Sequence, residues 1–361
     1  MKIRTKELER YLSEVHKRPV RILSLERLGG GELTEHDLKG YGYGQPILIR
    51  YKIDEEERKV VLQTLREDTF GHDFFSDRAQ ILLWAHSAYN KLPRHVRSID
   101  VGAFTREGRM ISLGDAEEFF LMVEYVEGEL YHKDLDRIKE QKALTALDLD
   151  RARALSDYLV GIHSKKLSAP HLYIRRIRDL IGHGECIMGL IDNYPEKLDF
   201  TSEDELKKIE KLCVEWRWKL KKMTHRLSQV HGDFHPWNVM FREGTDFIVL
   251  DRSRGEWGEP ADDLTAMSIN YLFYSLQTFG KMHGPFEKLW VTFIENYLQK
   301  TEDYEILSVV QPFYAWRGLV VASPIWYPTL PFDVRRKLFN FIVNVLESDE
   351  FDYKRVNSYL E

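Results

Sequence analysis

The chain has 361 residues, 43% of them hydrophobic and 30% charged, with a formal net charge of -6. That length holds two lobes with separate cores, and the acidic balance argues against a nucleic-acid surface as the main partner and favours a cationic or neutral one. Cys186 and Cys213 are the only cysteines, too few and too far apart for a disulfide framework or zinc cluster, and no stretch approaches a membrane span, so a cytoplasmic protein is expected.

In chain order, a charged helix is predicted over residues 6–16, followed by a strand over 20–28 that runs straight into Gly29, Gly30 and Gly31. Two further strands, 46–53 and 59–65, flank the acidic turn Asp54-Glu55-Glu56-Glu57, and Ile81, Leu82 and Ala85 mark a helix over 76–90. The apolar run Phe119-Phe120-Leu121-Met122-Val123 reads as a buried strand entering a linker that ends at Gly128. From there the pattern turns helical. A helix over 148–164 carries the stripe Ala152, Leu155, Leu159 and Ile162, with His163 in a structural role. A long amphipathic run over 202–227 holds Cys213, Trp216 and Trp218 as packing residues, and helices are predicted over 265–279, 286–300, 304–321 and 332–346. The class expected is α+β, with a small antiparallel sheet first and a large helical part after it.

One segment carries chemistry. His231-Gly232-Asp233-Phe234-His235-Pro236-Trp237-Asn238 precedes a predicted hairpin, strand 239–241, turn 242–246 and strand 247–250, which ends at Asp251. Phosphoryl transfer asks a protein for alignment and charge neutralisation rather than covalent work. Asp233 suits the base that orients an attacking hydroxyl, while Asn238 and Asp251 offer oxygen atoms to a hard cation such as Mg2+. Two other readings stand beside this one: zinc held by His231, Asp233 and His235, or a turn in which Asp233 only caps the backbone.

The run from His231 to Asn238, with Leu250-Asp251 and Gly258-Glu259-Pro260-Ala261-Asp262-Asp263-Leu264, resembles the aminoglycoside phosphotransferase and choline kinase group of small-molecule kinases. The resemblance implies a two-lobe protein-kinase-like fold, with a nucleotide-binding lobe over 1–123, a hinge over 124–130 and a catalytic lobe over 131–361. It implies ATP and Mg2+ as cofactors, a small-molecule hydroxyl as acceptor, Asp233 as base, Asn238 and Asp251 as metal ligands, and Asp263 as a brace for the loop. Gly29 to Gly31 would cover the phosphates, because glycine lets backbone N–H groups approach them. Glu124, Tyr125 and Val126 would bind adenine through main-chain groups.

The chain departs from the group's pattern at several places. Glu259 stands where Asp is usual, and Arg252-Ser253 follow the metal-binding Asp. Gln63 occupies the strand position where relatives carry a phosphate-binding cation, with Lys59 or Arg50 as substitutes, and Asp77-Arg78 fall where a Glu is usual. Gln63 supports the alternative of a nucleotide-binding pseudokinase with a regulatory role. On the acceptor side, Phe313, Tyr314, Trp316, Trp326 and Tyr327 cluster with Arg317. Their faces suit a cationic amine, Arg317 suits a carboxylate or phosphate, and an aromatic core under a loop fits equally. Glu256 and Glu259 point to an amine acceptor or to a solvated face.

Overall fold

Leu8, Tyr11 and Leu12 recur at helical spacing, and in the computed structural model, which describes residues 4–27 and 46–361, they form the buried face of α1 (Thr5–His16). The chain divides into two units, Met1–Glu124 and Tyr125–Glu361. In the first, β1 (Val20–Arg27), β2 (Ile47–Ile53) and β3 (Glu56–Leu62) form an antiparallel sheet in the order β1-β2-β3. Side chains alternate across a strand, so Ile49, Tyr51 and Ile53 pack against α1 and Val20. Each such side chain, fully buried, stabilises the unit by about 1.5–3 kcal/mol. α1 also blunts the edge strand: Glu9 accepts the Ile22 N–H and Ser13 the Val20 N–H, each at 2.9 Å.

The strand over 59–65 is corrected in register. The turn shrinks to Asp54-Glu55, with Asp54 at φ 54°, and β3 already begins at Glu56 and ends at Leu62. Gln63 therefore lies just past the strand, exposed. Arg50 and Lys59 are cross-strand partners on the face opposite Ile49 and Tyr51. Gly29 to Gly31 lie outside the described residues. The predicted second helix is α2 (Phe75–Tyr89); Asp77 accepts the Phe74 N–H at 2.7 Å and Arg78 donates to the His72 carbonyl at 2.7 Å, so both serve the helix start. β4 (Gly102–Phe104) and β5 (Met110–Ser112) pair as a hairpin.

Residues 119–123 form no strand. Phe119 to Val123 are all exposed, and Tyr125 is 89% exposed. An apolar run becomes a buried strand only where a neighbouring strand takes its N–H and C=O groups, and none of the described strands pairs with it.

The second unit is helical. β6 (Glu129–Leu130) leads to α3 (His132–Gln141), α4 (Ala146–His163), α5 (Pro170–Gly182), α6 (Ile187–Asp192) and α7 (Glu203–Leu220). The amphipathic run stops at Leu220 rather than 227, where a short 3-10 turn and β7 (Ser228–Gln229) take over. Trp216 and Cys213 are buried, but Trp218 stands on the exposed face, with Lys221 over its ring at 3.2 Å. β8 (Val239–Phe241) and β9 (Phe247–Val249) form the predicted hairpin, β8 also pairing with β6, and β10 (Trp257–Gly258) pairs with β7.

α8 (Pro260–Phe279), α9 (Gly284–Thr301), α10 (Gln311–Ala322) and α11 (Phe332–Leu346) complete the unit. α8 starts five residues before the expected 265 because Pro260 suits the first turn and Glu259 caps it, accepting the Ala261 N–H at 3.3 Å. The segment expected as one helix over 304–321 breaks into a 3-10 turn, Tyr304–Ser308, and α10, which begins just before Pro312. α8 is buried from Pro260 to Leu276, so it is the central rod of the core, with α9, α10, α3 and α4 around it.

Candidate active site

The loop that carries Asp233 is fixed at both ends by backbone pairing. Val230 N–H donates to the Glu256 carbonyl at 3.0 Å beside the β7–β10 pair, and Leu250 N–H donates to the Asn238 carbonyl at 2.8 Å beyond the β8–β9 pair. Asp263, in the first turn of α8 and fully buried, accepts the His231 and Gly232 N–H groups at 2.7 Å each. His163 Nε2 meets the same carboxylate at 3.1 Å while its Nδ1 meets the Tyr297 hydroxyl at 2.9 Å. Burial would raise the Asp263 carboxyl, but His163 and the loop N–H groups outweigh it and hold it below its ordinary value. Asp263 thus braces the loop, and His163 is structural.

Gly232 turns the loop with φ +87°, a conformation that L side chains rarely adopt, and a Cβ there would lie 3.2 Å from the Arg254 Cβ. Phe234 is fully buried and anchors the loop, and the His235 ring accepts the Trp237 N–H at 3.2 Å. His231 accepts the Asp233 N–H through Nδ1 at 3.3 Å, and burial holds its imidazole below the ordinary value, hence neutral. Among the described residues no group of three or more His, Cys, Asp or Glu is arranged to hold a metal, so the zinc reading of this run is not formed.

Asp233 is 13% exposed and sits in a cluster of cations. Arg317, from α10, donates Nη1 to Asp233 Oδ1 at 2.6 Å and Nη2 to Asp262 Oδ1 at 2.6 Å and the Gly232 carbonyl at 3.1 Å. His235 Nε2 lies 3.6 Å and Arg254 Nε 3.8 Å from Asp233 Oδ2. Burial alone would raise the Asp233 carboxyl. His235, Arg317 and Arg254 together hold it well below the usual carboxylate range. Burial pushes Asp262 the other way, above its ordinary value, against the pull of Arg317. The expectation that Arg317 receives an acceptor anion is corrected: it is 7% exposed, stacks over Trp316 at 3.8 Å, and spends its charge on two carboxylates of the chain. Sequence spacing gave no sign of this pair, since 84 residues separate its members.

Asn238 ends a 3-10 turn, Pro236–Asn238, and donates Nδ2 to the Asp233 carbonyl at 3.1 Å, which leaves its amide oxygen free as a donor to a cation. Asp251 follows β9, is exposed, adopts φ 49°, and makes no hydrogen bond or ion pair with another described residue. A non-glycine residue in that region costs roughly 1–3 kcal/mol and marks a position worth testing for function. The hairpin register places Asp251 one residue past the partner of Asn238, and the side-chain bond of Asn238 ties it to Asp233. Tyr158, Gln229, His231, Asp251 and Arg252 line a cavity of about 250 Å³ that Asp233 and Asn238 do not line.

Glu259 is neither free for an amine nor solvated. It is buried, accepts from Arg226 at 2.9–3.0 Å and from the Tyr173 hydroxyl at 2.7 Å, and Arg226 continues to Asp303 and Glu305. The longer side chain in place of Asp therefore reaches an arginine anchored elsewhere in the core. Arg252, which follows Asp251, donates to the Val230 and Glu256 carbonyls and ties the segment after β9 to the start of the loop that carries Asp233.

Residues 103–299 match the sequence profile of the phosphotransferase enzyme family, abbreviated APH. No curated protein matches the chain. Similar solved structures include an ethanolamine kinase from Plasmodium vivax, 16% identical over 94% of this chain and 80% of that one, with a TM-score of 0.35. An amicoumacin kinase solved with AMP-PNP, Ca2+ and Ami is 13% identical over 92% of this chain and 91% of that one, with a TM-score of 0.41. A choline/ethanolamine kinase family protein from Mesorhizobium loti is 12% identical over 94% of this chain and 92% of that one, with a TM-score of 0.37.

Proposed function

Because the chain belongs to the phosphotransferase enzyme family, as a small-molecule kinase, we propose that it moves the γ-phosphate of ATP to a hydroxyl of a small molecule, with Asp233 as the residue that receives the acceptor hydroxyl. The observation that carries this reading is the state of Asp233: a braced, half-buried, ionised carboxylate with Oδ1 taken by Arg317 and no hydrogen bond from another described residue at Oδ2, which a hydroxyl can take. A carboxylate held so far below its ordinary value is a poor base in the ground state. It serves by orienting the hydroxyl and accepting its proton late, as a loose phosphoryl-transfer transition state requires.

Asn238 and Asp251 fit Mg2+. They are oxygen donors, one neutral and one a free carboxylate, and Mg2+ binds through one or two carboxylates plus substrate phosphates rather than in an all-protein cage. When bound, the ion would neutralise charge on the β- and γ-phosphates. Arg50 and Lys59, cross-strand partners on β2 and β3, supply phosphate contacts in this reading. Adenine is assigned to the main chain of Glu124, Tyr125 and Val126, in a hinge over 124–130, and the phosphate cover to Gly29, Gly30 and Gly31.

A second reading, a nucleotide-binding regulator without transfer, is favoured by Gln63, an uncharged residue past the end of β3. Incubation with ATP, Mg2+ and a panel of amino alcohols, aminoglycosides, sugars and hydroxy acids separates the two. Transfer that Asp233→Asn abolishes in a variant that still folds and binds nucleotide supports the kinase. Nucleotide binding with no transfer to any acceptor supports the regulator.

A further inference from the structure

Resting on the reading of Asp233 as the residue that receives the acceptor hydroxyl, we propose that the acceptor is anionic, with a carboxylate or phosphate close to the phosphorylated hydroxyl, and that Arg254 recognises the anion. Arg317 occupies Oδ1 of Asp233, so a hydroxyl approaches Oδ2. Beside that oxygen stand His235, with Nε2 3.6 Å away, and the permanently charged Arg254, with Nε 3.8 Å away. This Nε is buried and has no hydrogen-bond partner. Each hydrogen bond adds about 2.8 Å, so one small molecule joins Oδ2 to Arg254 only if its hydroxyl and its anion are near neighbours on the carbon chain.

Arg254 is built to receive such a group. Its guanidinium stands 5.0 Å over the Trp316 ring, which is fixed by donating Nε1–H to the Glu185 carbonyl at 3.1 Å. Its side chain is 21% exposed, and its one close carboxylate partner, Glu185 at 2.9 Å, is itself 66% exposed. Exposed pairs of that kind contribute little, so an incoming anion displaces Glu185 readily. A planar guanidinium matches carboxylate and phosphate oxygens in pairs. Arg176, on α5, reaches the same turn, with Nη1 3.8 Å from the place a Cβ would take on Gly255 and Nη2 4.0 Å from that on Gly232. Both glycines have positive φ, and a Cβ on Gly232 would already lie 3.2 Å from that of Arg254.

A cationic acceptor fits this cluster poorly. The carboxylates that belong to it, Asp233, Asp262 and Glu185, are each already paired with an arginine, so an ammonium group next to the hydroxyl would face Arg254 without a free counter-charge. The net charge of -6 for the whole chain, which favours a cationic or neutral partner, does not describe this corner.

The test compares glycerate, glycerol 3-phosphate, glycerol and ethanolamine on the 361-residue chain and on Arg254→Gln. Two readouts are used: acceptor-induced melting shifts with ADP and Mg2+, which need no turnover, and phosphate transfer from ATP. Glycerate or glycerol 3-phosphate is expected to raise the melting temperature and to exceed glycerol and ethanolamine in kcat/KM. Which of the two is favoured tells carboxylate from phosphate. Arg254→Gln, melting as the natural chain does, is expected to lower the preference for the acid over glycerol at least about tenfold, through KM. Preference for ethanolamine or glycerol overturns the inference. So does an Arg254→Gln variant whose kcat falls equally for every acceptor, which would place Arg254 on the transferred phosphoryl group. If nothing is phosphorylated, the kinase reading fails on its own; acid binding that Arg254→Gln removes still supports an anion site, and no acid binding overturns it.

Discussion

Replacing Arg317 by methionine removes the charge that ties Asp233 to Asp262 and keeps much of the apolar stem. Both ion pairs are 2.6 Å long, and the three side chains are 7%, 13% and 8% exposed, so solvent cannot take over the lost contacts. Removing one partner of a buried pair costs about 3–5 kcal/mol, because the other charge stays buried and uncompensated. For a unit of this size each kcal/mol shifts melting by about 2–4 °C, so Arg317→Met is expected to melt roughly 6–20 °C lower. The loss should depend on pH in a defined direction. In the natural chain the Asp233 carboxyl lies well below its ordinary value. Its pairing therefore contributes fully above the unfolded value near about 3.9, and is lost only as pH falls toward the low folded value. Without Arg317, burial is the dominant influence on Asp262 and a raising one on Asp233, so the variant becomes relatively more stable as pH falls and these groups take up protons. The stability gap between the two proteins should widen from pH 5 to pH 8. Urea denaturation at both values measures it, and the acid limb of kcat/KM should move upward in the variant. A gap under about 1 kcal/mol at pH 8, or one that does not change with pH, would refute the bridge.

Three further outcomes are expected. Gly232→Ala places a Cβ 3.2 Å from that of Arg254 at φ +87°, so it should cost about 1–3 kcal/mol and slow transfer; unchanged melting would mean that the loop tolerates a side chain there. Glu259→Asp restores the residue usual in the resembling kinases but withdraws the carboxylate from Arg226 and Tyr173, and chemical denaturation should show a loss of about 1–3 kcal/mol, whereas a neutral result would remove the reason given for the longer side chain. Asp251→Asn should weaken the melting shift produced by ATP with Mg2+; at nucleotide a hundredfold above the dissociation constant that shift corresponds to about 2.7 kcal/mol, and one that ignores Mg2+ in the natural chain would exclude Asp251 and Asn238 as ligands.

Much of the fold is legible because it is local. The hairpin of β8 and β9, the stripe of α4 and the helix α11 follow from two-residue or three-to-four-residue periods and from turn residues adjacent to them. The errors fall where a neighbour decides. Phe119 to Val123 have the composition of a buried strand but no described strand to pair with, and Gln63 slips off β3 because the turn closes two residues earlier than the acidic run suggests. Trp218 reads as a packing residue with Cys213 and Trp216, but of those three only Cys213 and Trp216 are buried, alongside Ile209 and Leu220.

By itself the sequence determined the first three strands, the hairpin of β8 and β9, most of the long helices and the close spacing of Asp233, Asn238 and Asp251 along the chain, since a hairpin of eleven residues brings the last two together through its own hydrogen bonds. Tertiary structure alone decided the charge state and surroundings of that site. Arg317 and Arg254 reach Asp233 from α10 and the turn after β9, Asp262 on α8 pairs with the other end of Arg317, and His163 and Asp263 brace the loop from α4 and α8. Electrostatic coupling depends on distance and burial rather than on position along the chain, so it appears only when the helices are packed.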